Sequence, residues 1–403
     1  MKFTIVIPAY NEEQAIRAIV ERCLAAREAL VRDTLLEQVQ ITVVSDGSSD
    51  RTAQIASEFE PEIKLIAYER NRGYGAAIKR GFAESDAELV GFLDADGTCD
   101  PLVFVELVNK LHNENADVCL GSRMTPQSRM PATRRLGNRL YRRLINIIGE
   151  SEITDAASGM RVIRRERLPD LYPLPDGLHF TPAMSCRAVL DEGLKIVEVP
   201  MTYEERVGES KLNVLGDGMR FLVVILDIAL TYRPLRLFGA PALLLLILAL
   251  GFGGGMLVDY AATGKVADSM IFRAIAVVAF AVGGATLLSV GVLGEQAAAL
   301  LHPRSAGHRP IAGLMSRVLG QAVLLGASAA LLVIGGLLGL RPLLQYALGG
   351  HIAVHWSQLI LAGLCVVLGV QAFALGALGR MLSHLQIKRR AQLDELLGNG
   401  PQQ

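Results

Sequence analysis

The stretch Leu89-Val-Gly-Phe-Leu-Asp-Ala-Asp-Gly97 decides the fold class of this chain. Its apolar run, Leu89–Leu93, predicts a strand buried on both faces, and Gly97 predicts the turn that ends it. The two-residue period of an extended chain puts Asp94 and Asp96 on the same side. Crowded carboxylates repel each other unless a cation lies between them, so the pair predicts a site for Mg²⁺ or Mn²⁺ completed by a substrate diphosphate. The competing interpretation is a solvated Asp-x-Asp turn.

Composition divides the chain into two parts. Hydrophobic residues make up 51% of the 403 residues, and long apolar runs begin only after about Arg233. The length predicts two or more units, and a formal net charge of +0 argues against a nucleic-acid-binding protein. The cysteines show no paired spacing, so we expect neither zinc nor disulfides. The first apolar run is too short for a signal peptide, and the polar part is therefore expected in the cytoplasm.

The first part alternates between strand and helix patterns. Strands are predicted at Phe3–Ile7, Val39–Val44, Ile63–Ala67, Leu89–Leu93 and Val118–Arg123. Helices are predicted at Gln14–Val31, after Thr52, and from Asn71 through Phe82. This alternation predicts a parallel sheet with right-handed crossovers, in which ligands bind beyond the carboxyl ends of the strands. The polar and glycine residues at those ends are Tyr10, Glu12, Asp46, Asn71, Gly73, Asp94 and Asp96.

One motif suggests a different cofactor. Gly73-Tyr-Gly75 resembles part of a dinucleotide fingerprint, which would indicate a nicotinamide enzyme. However, the third small position of that fingerprint is Ile78, and the first strand is not followed by a glycine loop. We therefore favour a simpler interpretation, in which the glycines permit a tight turn at the start of a helix.

Four segments in order resemble the family 2 glycosyltransferases of the GT-A fold. They are Ile5–Glu13, Val43–Asp50, Asn71–Ala77 and Asp94–Asp96. Within that family the chain is most similar to the polyprenyl-phosphate glycosyltransferases, the dolichol-phosphate-mannose-synthase-like branch. The resemblance covers residues 1 to about 233 and implies an α/β, Rossmann-like nucleotide-sugar domain. Ser45 departs from the Asp-Asp-Gly-Ser pattern of the family, whereas Asp46 matches it.

The resemblance implies roles for individual residues. Those implied to bind the nucleotide-sugar are Pro8, Tyr10, Glu12, Asp46, Asn71, Gly73, Lys79 and Asp94. Those implied to act in catalysis are Asp94, Asp96, Arg123, Arg161 and Lys211. Asp96, together with Asp94, would hold the metal ion that neutralises the leaving diphosphate. The competing interpretations are a solvated helix lysine for Lys79 and, for Glu12, a carboxylate placed at a helix start by the dipole.

Two arginines end further motif segments. Val118–Arg123 ends in Gly-Ser-Arg, and the segment from Asp155 resembles the Asp-x-x-Ser-Gly-x-Arg segment of the family, which ends at Arg161. Both arginines are expected to bind phosphates through bidentate bonds, and Asp155 is expected to orient one of them. The alternative is an ordinary surface charge.

A basic helix and a loop predict the lipid side of the site. Thr133–Ile148 carries apolar and basic residues at helical spacing, which predicts a helix lying on an anionic membrane surface. A nucleic-acid-binding helix is the competitor, and the neutral net charge counts against it. Gly208–Leu212 resembles a lid-loop motif of the branch. The residues assigned to the lipid phosphate are Arg134, Arg135, Arg139, Ser210 and Lys211.

The second part contains four apolar runs, at about 237–258, 274–294, 318–340 and 356–379. Each is near the ~20 residues that span a bilayer. The positive-inside rule puts both termini and the catalytic domain in the cytoplasm, since the second connector and the tail carry the most Lys and Arg. Glycines such as Gly251, Gly253–Gly255 and Gly335-Gly336 predict close helix packing.

The predicted domains follow from these boundaries. They are a GT-A domain at 1–213, a juxtamembrane amphipathic helix at 214–233, a transmembrane domain at 234–383 and a polar cytoplasmic tail at 384–403. The predicted fold class is an α/β GT-A domain followed by an all-α transmembrane domain of four helices.

The predicted function is that of a membrane-bound inverting glycosyltransferase. It would move a sugar from a UDP- or GDP-sugar to a polyprenyl phosphate at the cytoplasmic face of the inner membrane, for cell-envelope glycan or protein glycosylation. The first alternative is a hydroxyl acceptor, as in glycolipid or polysaccharide synthases. Processive synthases carry a Gln-x-x-Arg-Trp motif, and the one tryptophan, Trp356, lies elsewhere. The second alternative, a non-catalytic scaffold or transporter, is disfavoured by the intact Asp94-Ala-Asp96. No nucleic-acid partner is expected, and homo-oligomerisation stays open.

Overall fold

The structure is a computed structural model that describes residues 1–208, 211, 213–264, 266–301 and 320–396. It divides into two compact units, Met1–Ala229 and Leu230–Gln403. Ser210, the predicted connector at 302–317 and the last residues of the predicted tail lie outside the described residues.

A seven-stranded sheet forms the centre of the first unit. Its strands are β1 (Lys2–Ala9), β2 (Gln38–Asp46), β3 (Lys64–Tyr68), β4 (Leu89–Phe92), β5 (Val118–Ser122), β6 (Arg161–Arg164) and β7 (Ile196–Pro200), in the order β3-β2-β1-β4-β6-β5-β7. β6 is antiparallel to both β4 and β5, while the other pairs are parallel. The five strands predicted from the sequence, β1 to β5, all run in the same direction, as predicted. β6 was not predicted, and it inserts antiparallel between β4 and β5.

Helices cover this sheet and complete the unit. They are α1 (Ile16–Asp33), α2 (Thr52–Ser57), α3 (Tyr74–Ala83), α4 (Val103–Asn113), α5 (Ala132–Gly149), α6 (Leu168–Leu171), α7 (Phe180–Leu190) and α8 (Val214–Tyr232). The predicted burial of β4 is confirmed, because all four of its residues are buried. Ile5, Val43 and Phe104 belong to the same core and are fully buried, and each such side chain stabilises the fold by roughly 1.5–3 kcal/mol.

The order of the strands places the candidate site. The chain moves from β1 to β2 and β3 on one side and then returns to β4 on the other side of β1. Ligands of such sheets bind where the direction of winding reverses, beyond the carboxyl ends of the strands. Parallel pairing of Ala9 with Ser45 and of Val6 with Phe92 brings the loops after β1, β2 and β4 to that edge.

The described part of the second unit contains four helices that are long and apolar enough to cross a membrane. They are Pro234–Thr263, Asp268–Leu301, Ala322–Gly349 and Trp356–Leu385. The predicted four apolar helices are therefore confirmed. The last of them continues as helix to Leu396 and so includes the first residues of the predicted polar tail.

The glycines that make helix contacts are only partly the predicted ones. A Cβ on Gly335 would lie 2.8 Å from Val366, and one on Gly284 would lie 2.9 Å from Leu246, so both allow close approach of two helices. The predicted packing role is not seen for three others, since no heavy atom of the described chain lies within 4 Å of a Cβ built on Gly251, Gly254 or Gly336. The sequence places these glycines on predicted helices, but it does not show which face of each helix contacts another helix.

Candidate active site

Asp94 lies in a close-fitting niche at the end of β4. The Tyr74 hydroxyl donates to its Oδ1 at 2.6 Å, and a Cβ on Gly159 would lie 2.0 Å from its Oδ2. Burial, and then the charge of Asp96, raise the pKa of the Asp94 carboxyl above its ordinary range. Burial and the adjacent Asp94 likewise raise the pKa of Tyr74, so the hydroxyl stays protonated and donates. The charge of Asp96 therefore acts on Asp94, but the extended geometry predicted for the pair is not found. β4 ends at Phe92 and the chain turns at Ala95 and Asp96, so the period of two residues does not apply there.

Asp96 is buried, and its two carboxylate oxygens have different partners, a threonine and an arginine. Its Oδ1 accepts hydrogen bonds from the Thr98 amide at 3.1 Å and the Thr98 hydroxyl at 2.6 Å. Its Oδ2 accepts from Arg206 Nη1 at 2.8 Å. The threonine fixes the rotamer of the carboxylate, and the second oxygen faces a cation.

Sequence reasoning missed Arg206. Its guanidinium bridges Asp96 and Glu12, with Nη2 donating to Glu12 Oε1. Lys211 Nζ also binds Glu12 Oε1 and the Asn11 carbonyl, each at 2.8 Å. The structure therefore brings Glu12, Asp96 and Lys211 together as predicted site residues. The signal for Arg206 was its place two residues before the Gly208-Glu-Ser-Lys segment, but that position alone did not distinguish it from a surface arginine.

Asp46 shapes the loop that opens α3. Its two carboxylate oxygens accept the backbone amides of Arg72 and Gly73 at 2.8 Å each, and Asn71 donates to its carbonyl at 3.2 Å. Gly73 has φ of 108°, and a Cβ there would lie 2.5 Å from the Asp176 carbonyl oxygen, so glycine is required. The predicted nucleotide-sugar-binding residues Asp46, Asn71 and Gly73 thus form one hydrogen-bonded loop at the carboxyl edge of the sheet.

The loop after β1 forms the neighbouring wall. Pro8 is buried at the end of the strand, whereas the Tyr10 side chain is half exposed. The Lys211 ammonium lies 5.4 Å from the centre of the Tyr10 ring. Thr52 Oγ1 accepts the Glu12 amide at 2.8 Å and so fixes this loop to the start of α2. An exposed aromatic ring beside a rigid loop is suited to stacking a nucleotide base.

Arg123 is held by Asp155, as predicted. Its Nε and Nη2 donate to the two carboxylate oxygens at 2.8 and 2.9 Å. Burial opposes ionisation of Asp155, but the charge and bonds of Arg123 outweigh it and hold the pKa of Asp155 below its ordinary value. Arg123 lies 5.7 Å from the Tyr203 ring, and Arg134 Nη1 donates to the Tyr203 hydroxyl at 3.3 Å. Two cations therefore converge on Tyr203.

Two predicted site residues lie elsewhere. Arg161 is fully buried, and its Nη2 donates to the Thr181 carbonyl at 3.0 Å and to Ser185 Oγ at 2.8 Å, so it ties β6 to α7 instead of facing a phosphate. Burial lowers the pKa of Arg161 to about 10. Lys79 binds the Leu174 carbonyl at 2.8 Å and Asp176 at 2.5 Å. The motifs alone did not show that Arg161 and Lys79 bind other parts of the protein and not the substrate.

The predicted lipid-phosphate arginines are all on α5. Arg135 Nη2 donates to the Ser128 carbonyl at 2.7 Å, while Arg139 is exposed. Exposed apolar side chains share that face with Arg139, namely Leu136, Leu140 and Ile147. The helix therefore has the exposed basic and apolar surface that the sequence predicts.

The carboxylates fit a divalent cation only in part. The carboxylates of Asp96 and Glu12 both bind one cationic group, the guanidinium of Arg206. Carboxylate oxygens are the ligands that Mg²⁺ and Mn²⁺ prefer. Among the described residues, no group of three or more His, Cys, Asp or Glu could hold a metal ion. The remaining ligands would have to come from substrate oxygens and water, as is usual for Mg²⁺ bound with a diphosphate.

Comparisons with known proteins agree with this fold. Residues 4–171 match glycosyl transferase family 2. The chain is 32% identical over 245 residues to the low-salt glycan biosynthesis hexosyltransferase Agl6 of Haloferax volcanii, a match that covers 59% of this chain and 55% of that relative. It is 31% identical over 235 residues to a dolichyl-phosphate hexose transferase of the same organism, covering 57% of this chain and 94% of the relative.

Two further similarities extend the comparison. The undecaprenyl-phosphate 4-deoxy-4-formamido-L-arabinose transferase of Enterobacter sp. strain 638 is 31% identical over 312 residues, covering 73% of this chain and 87% of the relative. The crystal structure of glucosyl-3-phosphoglycerate synthase from Mycobacterium tuberculosis with UDP has a TM-score of 0.46 and 21% identity, and it covers 57% of this chain and 80% of its own.

The sheet and the sequence matches define a glycosyltransferase fold, and the chain belongs to glycosyl transferase family 2. Several of its relatives within this family are named as dolichyl-phosphate or undecaprenyl-phosphate sugar transferases. It is a glycosyltransferase and a membrane protein, with four helices among its described residues that are long and apolar enough to cross a membrane.

Proposed function

We propose that this enzyme transfers a sugar from a UDP- or GDP-sugar to a polyprenyl phosphate, with inversion at the anomeric carbon. The observation that carries the proposal is that one unit contains both an acidic pair suited to a metal ion and a pair of arginines suited to a phosphate. The Asp94/Asp96 pair suits a metal-bound diphosphate, and Arg123 and Arg134 converge on Tyr203 beside it. Relatives named as dolichyl-phosphate and undecaprenyl-phosphate transferases support the same acceptor class.

The donor side rests on the loops after β1, β2 and β4. Tyr10 would stack on the base, and the Asp46 loop would line the base and ribose. Asp96 and Asp94 would hold Mg²⁺ or Mn²⁺, which when bound neutralises the charge of the departing nucleoside diphosphate. Lys211 lies against the same loops and adds a positive charge near the diphosphate.

The acceptor side rests on Arg123 and Arg134. Asp155 fixes the Arg123 guanidinium through two bonds, so its position is set before the acceptor arrives. A phosphate monoester is anionic at neutral pH, and these cations would orient one of its oxygens toward the anomeric carbon. The phosphate oxygen forms the new bond to that carbon while the bond to the diphosphate oxygen breaks on the opposite face. An α-linked donor would thereby give a β-linked lipid-phosphate sugar.

A phosphate acceptor is also consistent with the stretch Leu178–Cys186 at the start of α7, which contains no carboxylate that could act as a general base. Transfer to a hydroxyl needs a general base, which in family members that use hydroxyl acceptors is a carboxylate near the start of this helix. The matching stretch Leu178–Cys186 contains no Asp or Glu. His179 precedes α7, and burial, followed by the nearby Arg220, lowers its pKa. An attacking phosphate needs no such base, which favours the lipid phosphate over a hydroxyl.

The membrane-facing surface of the first unit would present that acceptor. Leu136, Leu140 and Ile147 are exposed on α5, and Leu215 and Met219 are exposed on α8. The two helices pack together, since the Tyr141 hydroxyl donates to the Gly218 carbonyl at 3.0 Å. Apolar side chains flanked by arginines are typical of helices that lie in the headgroup region of an anionic membrane.

We expect a radiolabelled donor to give a mild-acid-labile lipid product when undecaprenyl phosphate is added to membranes that contain the protein. Parallel reactions with UDP- and GDP-sugars identify the donor, and diacylglycerol serves as the hydroxyl acceptor control. Label in a glycosyl-diacylglycerol or a long polymer, with none in the acid-labile lipid, would reject the lipid-phosphate acceptor and favour the hydroxyl alternative.

Both termini and the catalytic domain are proposed to lie on the cytoplasmic side of the cell membrane. Reporter tags inserted after residues 265 and 348 are expected outside, and tags after residues 307 and 395 inside, because the second connector and the tail carry the most positive charge. Protease protection in spheroplasts measures each position. One tag on the opposite side would reject the four-span arrangement.

A further inference from the structure

The chain that follows β7 runs along the loop that carries the carboxylate pair. The Glu204 amide donates to the Thr98 carbonyl at 2.9 Å, and the Val207 amide donates to the Asp96 carbonyl at 3.1 Å. These two backbone bonds flank Arg206 and hold it over Asp96. The position of Arg206 is therefore set by the main chain on both sides, and not only by its side-chain contacts.

Arg206 lies where two loops present negative charge. Its guanidinium binds Asp96, which follows β4, and Glu12, which follows β1. All three side chains are largely buried, with relative exposures of 20% for Arg206, 11% for Glu12 and 7% for Asp96. One cation thus joins two carboxylates from opposite sides of the sheet switch point, in a setting where solvent screens it little.

We propose that Arg206 occupies the cation position of this site when no donor is bound, so that Arg206 and a divalent metal ion compete for Asp96. The inference rests on the proposed donor site. Oδ1 of Asp96 is engaged by Thr98, so Oδ2 is the oxygen that faces the ligand side, and Arg206 Nη1 holds it at 2.8 Å. A Mg²⁺ ion bound to this oxygen at about 2.0–2.1 Å would lie close to the guanidinium and repel it, so metal binding and the Arg206 bond weaken each other.

Competition of this kind couples the metal to the donor. Metal binding to the free enzyme must break a charge-assisted bond of Arg206, which weakens it. A diphosphate brings negative charge that offsets the displacement of Arg206, so nucleotide and metal strengthen each other's binding. By linkage the strengthening is the same in both directions. The enzyme would therefore load donor and metal together.

Mn²⁺ binding to the purified full-length protein tests the competition, with the free ion measured by electron paramagnetic resonance. Without nucleotide, Arg206→Gln is expected to tighten Mn²⁺ binding about tenfold, because a hydrogen bond between charged groups no longer has to be broken. The strengthening of Mn²⁺ binding by added UDP or GDP is expected to shrink by a similar factor.

Arg22→Gln is the matched control. Arg22 lies on α1, donates to the Gly97 carbonyl at 3.3 Å and lies 3.6 Å from Asp100. The variant therefore removes the same charge from beside the Asp96 loop at a residue that pairs with Asp100 and not with Asp96. It is expected to change Mn²⁺ affinity less than about threefold. Arg206→Lys keeps the charge but cannot bridge both carboxylates, and it is expected to bind Mn²⁺ more tightly than wild type and less tightly than Arg206→Gln. It decides the question if the glutamine variant does not fold.

Three results would overturn the inference. Arg206→Gln with wild-type Mn²⁺ affinity would show that Arg206 does not compete. An equal gain in Arg22→Gln would show that only the overall charge matters. Wild-type protein that binds no Mn²⁺ even with UDP or GDP present would reject the donor site itself, and with it the proposed function. The first two results leave the proposed function standing.

Discussion

Asp96→Asn is expected to lower turnover by roughly a thousandfold, because the amide keeps the shape of the side chain but loses the negative oxygen that would hold the metal ion. The substitution also removes the charge that pairs with Arg206, whose Nη1 lies 2.8 Å from Oδ2. Initial rates of lipid-linked sugar formation measure the loss, with the donor that the acceptor assay identifies. Wild-type enzyme in excess EDTA is expected to lose its activity in the same way.

Asp100→Asn is the matched control for this variant. Asp100 lies on the same loop, where its Oδ1 accepts the Leu102 amide at 3.1 Å and pairs with Arg22. It does not belong to the carboxylate pair, so activity within about threefold of wild type is expected. The thermal unfolding midpoint of both variants shows that the fold is kept. Full activity of Asp96→Asn, or full activity in excess EDTA, would contradict a metal role for Asp96.

The sequence was sufficient for the parts of the site that lie next to a regular pattern. The buried run before Asp94 and the strand-helix alternation predicted the edge of the sheet at which the loops of Asp46, Asp94 and Glu12 lie. The sequence also predicted that Asp94 and Asp96 crowd each other, and the charge of Asp96 contributes to the raised pKa of Asp94. The period of two on which that prediction rested does not apply, because β4 ends at Phe92 and the chain turns at Ala95 and Asp96. These patterns involve residues that are close together in the sequence, so a single sequence is enough to recognise them.

Contacts between residues far apart in the sequence could not be predicted. Arg206 meets Asp96 across 110 residues and Glu12 across 194, and only the pairing of the chain after β7 with the Asp96 loop brings them together. Arg161 failed for a related reason. Its motif predicted a phosphate ligand, but β6 inserts antiparallel between β4 and β5 and carries the side chain into the interior.

Gly159 shows how one such long-range contact controls the chemistry. It lies in the Asp155–Arg161 motif, and a Cβ there would be 2.0 Å from Asp94 Oδ2 and 2.5 Å from its Cγ. A real Cβ atom does not approach another heavy atom this closely, so an alanine must move either the carboxylate or the loop before β6. Movement of the carboxylate breaks the 2.6 Å hydrogen bond from Tyr74 that orients Asp94, and movement of the loop removes the wall against which Oδ2 lies.

Gly159→Ala is therefore expected to lower kcat/KM roughly a hundredfold, because a displacement of about 1 Å in a reacting group has an effect of that size. Tyr74→Phe removes the hydroxyl without filling space, so its expected loss is smaller, about tenfold. Gly254→Ala is the control, since nothing in the described chain lies within 4 Å of its Cβ position. Steady-state kinetics and Mn²⁺ affinity are measured for all three variants. If Gly159→Ala kept wild-type values for both, the position of Asp94 would not matter for catalysis, and its assignment to the metal and donor site would be wrong.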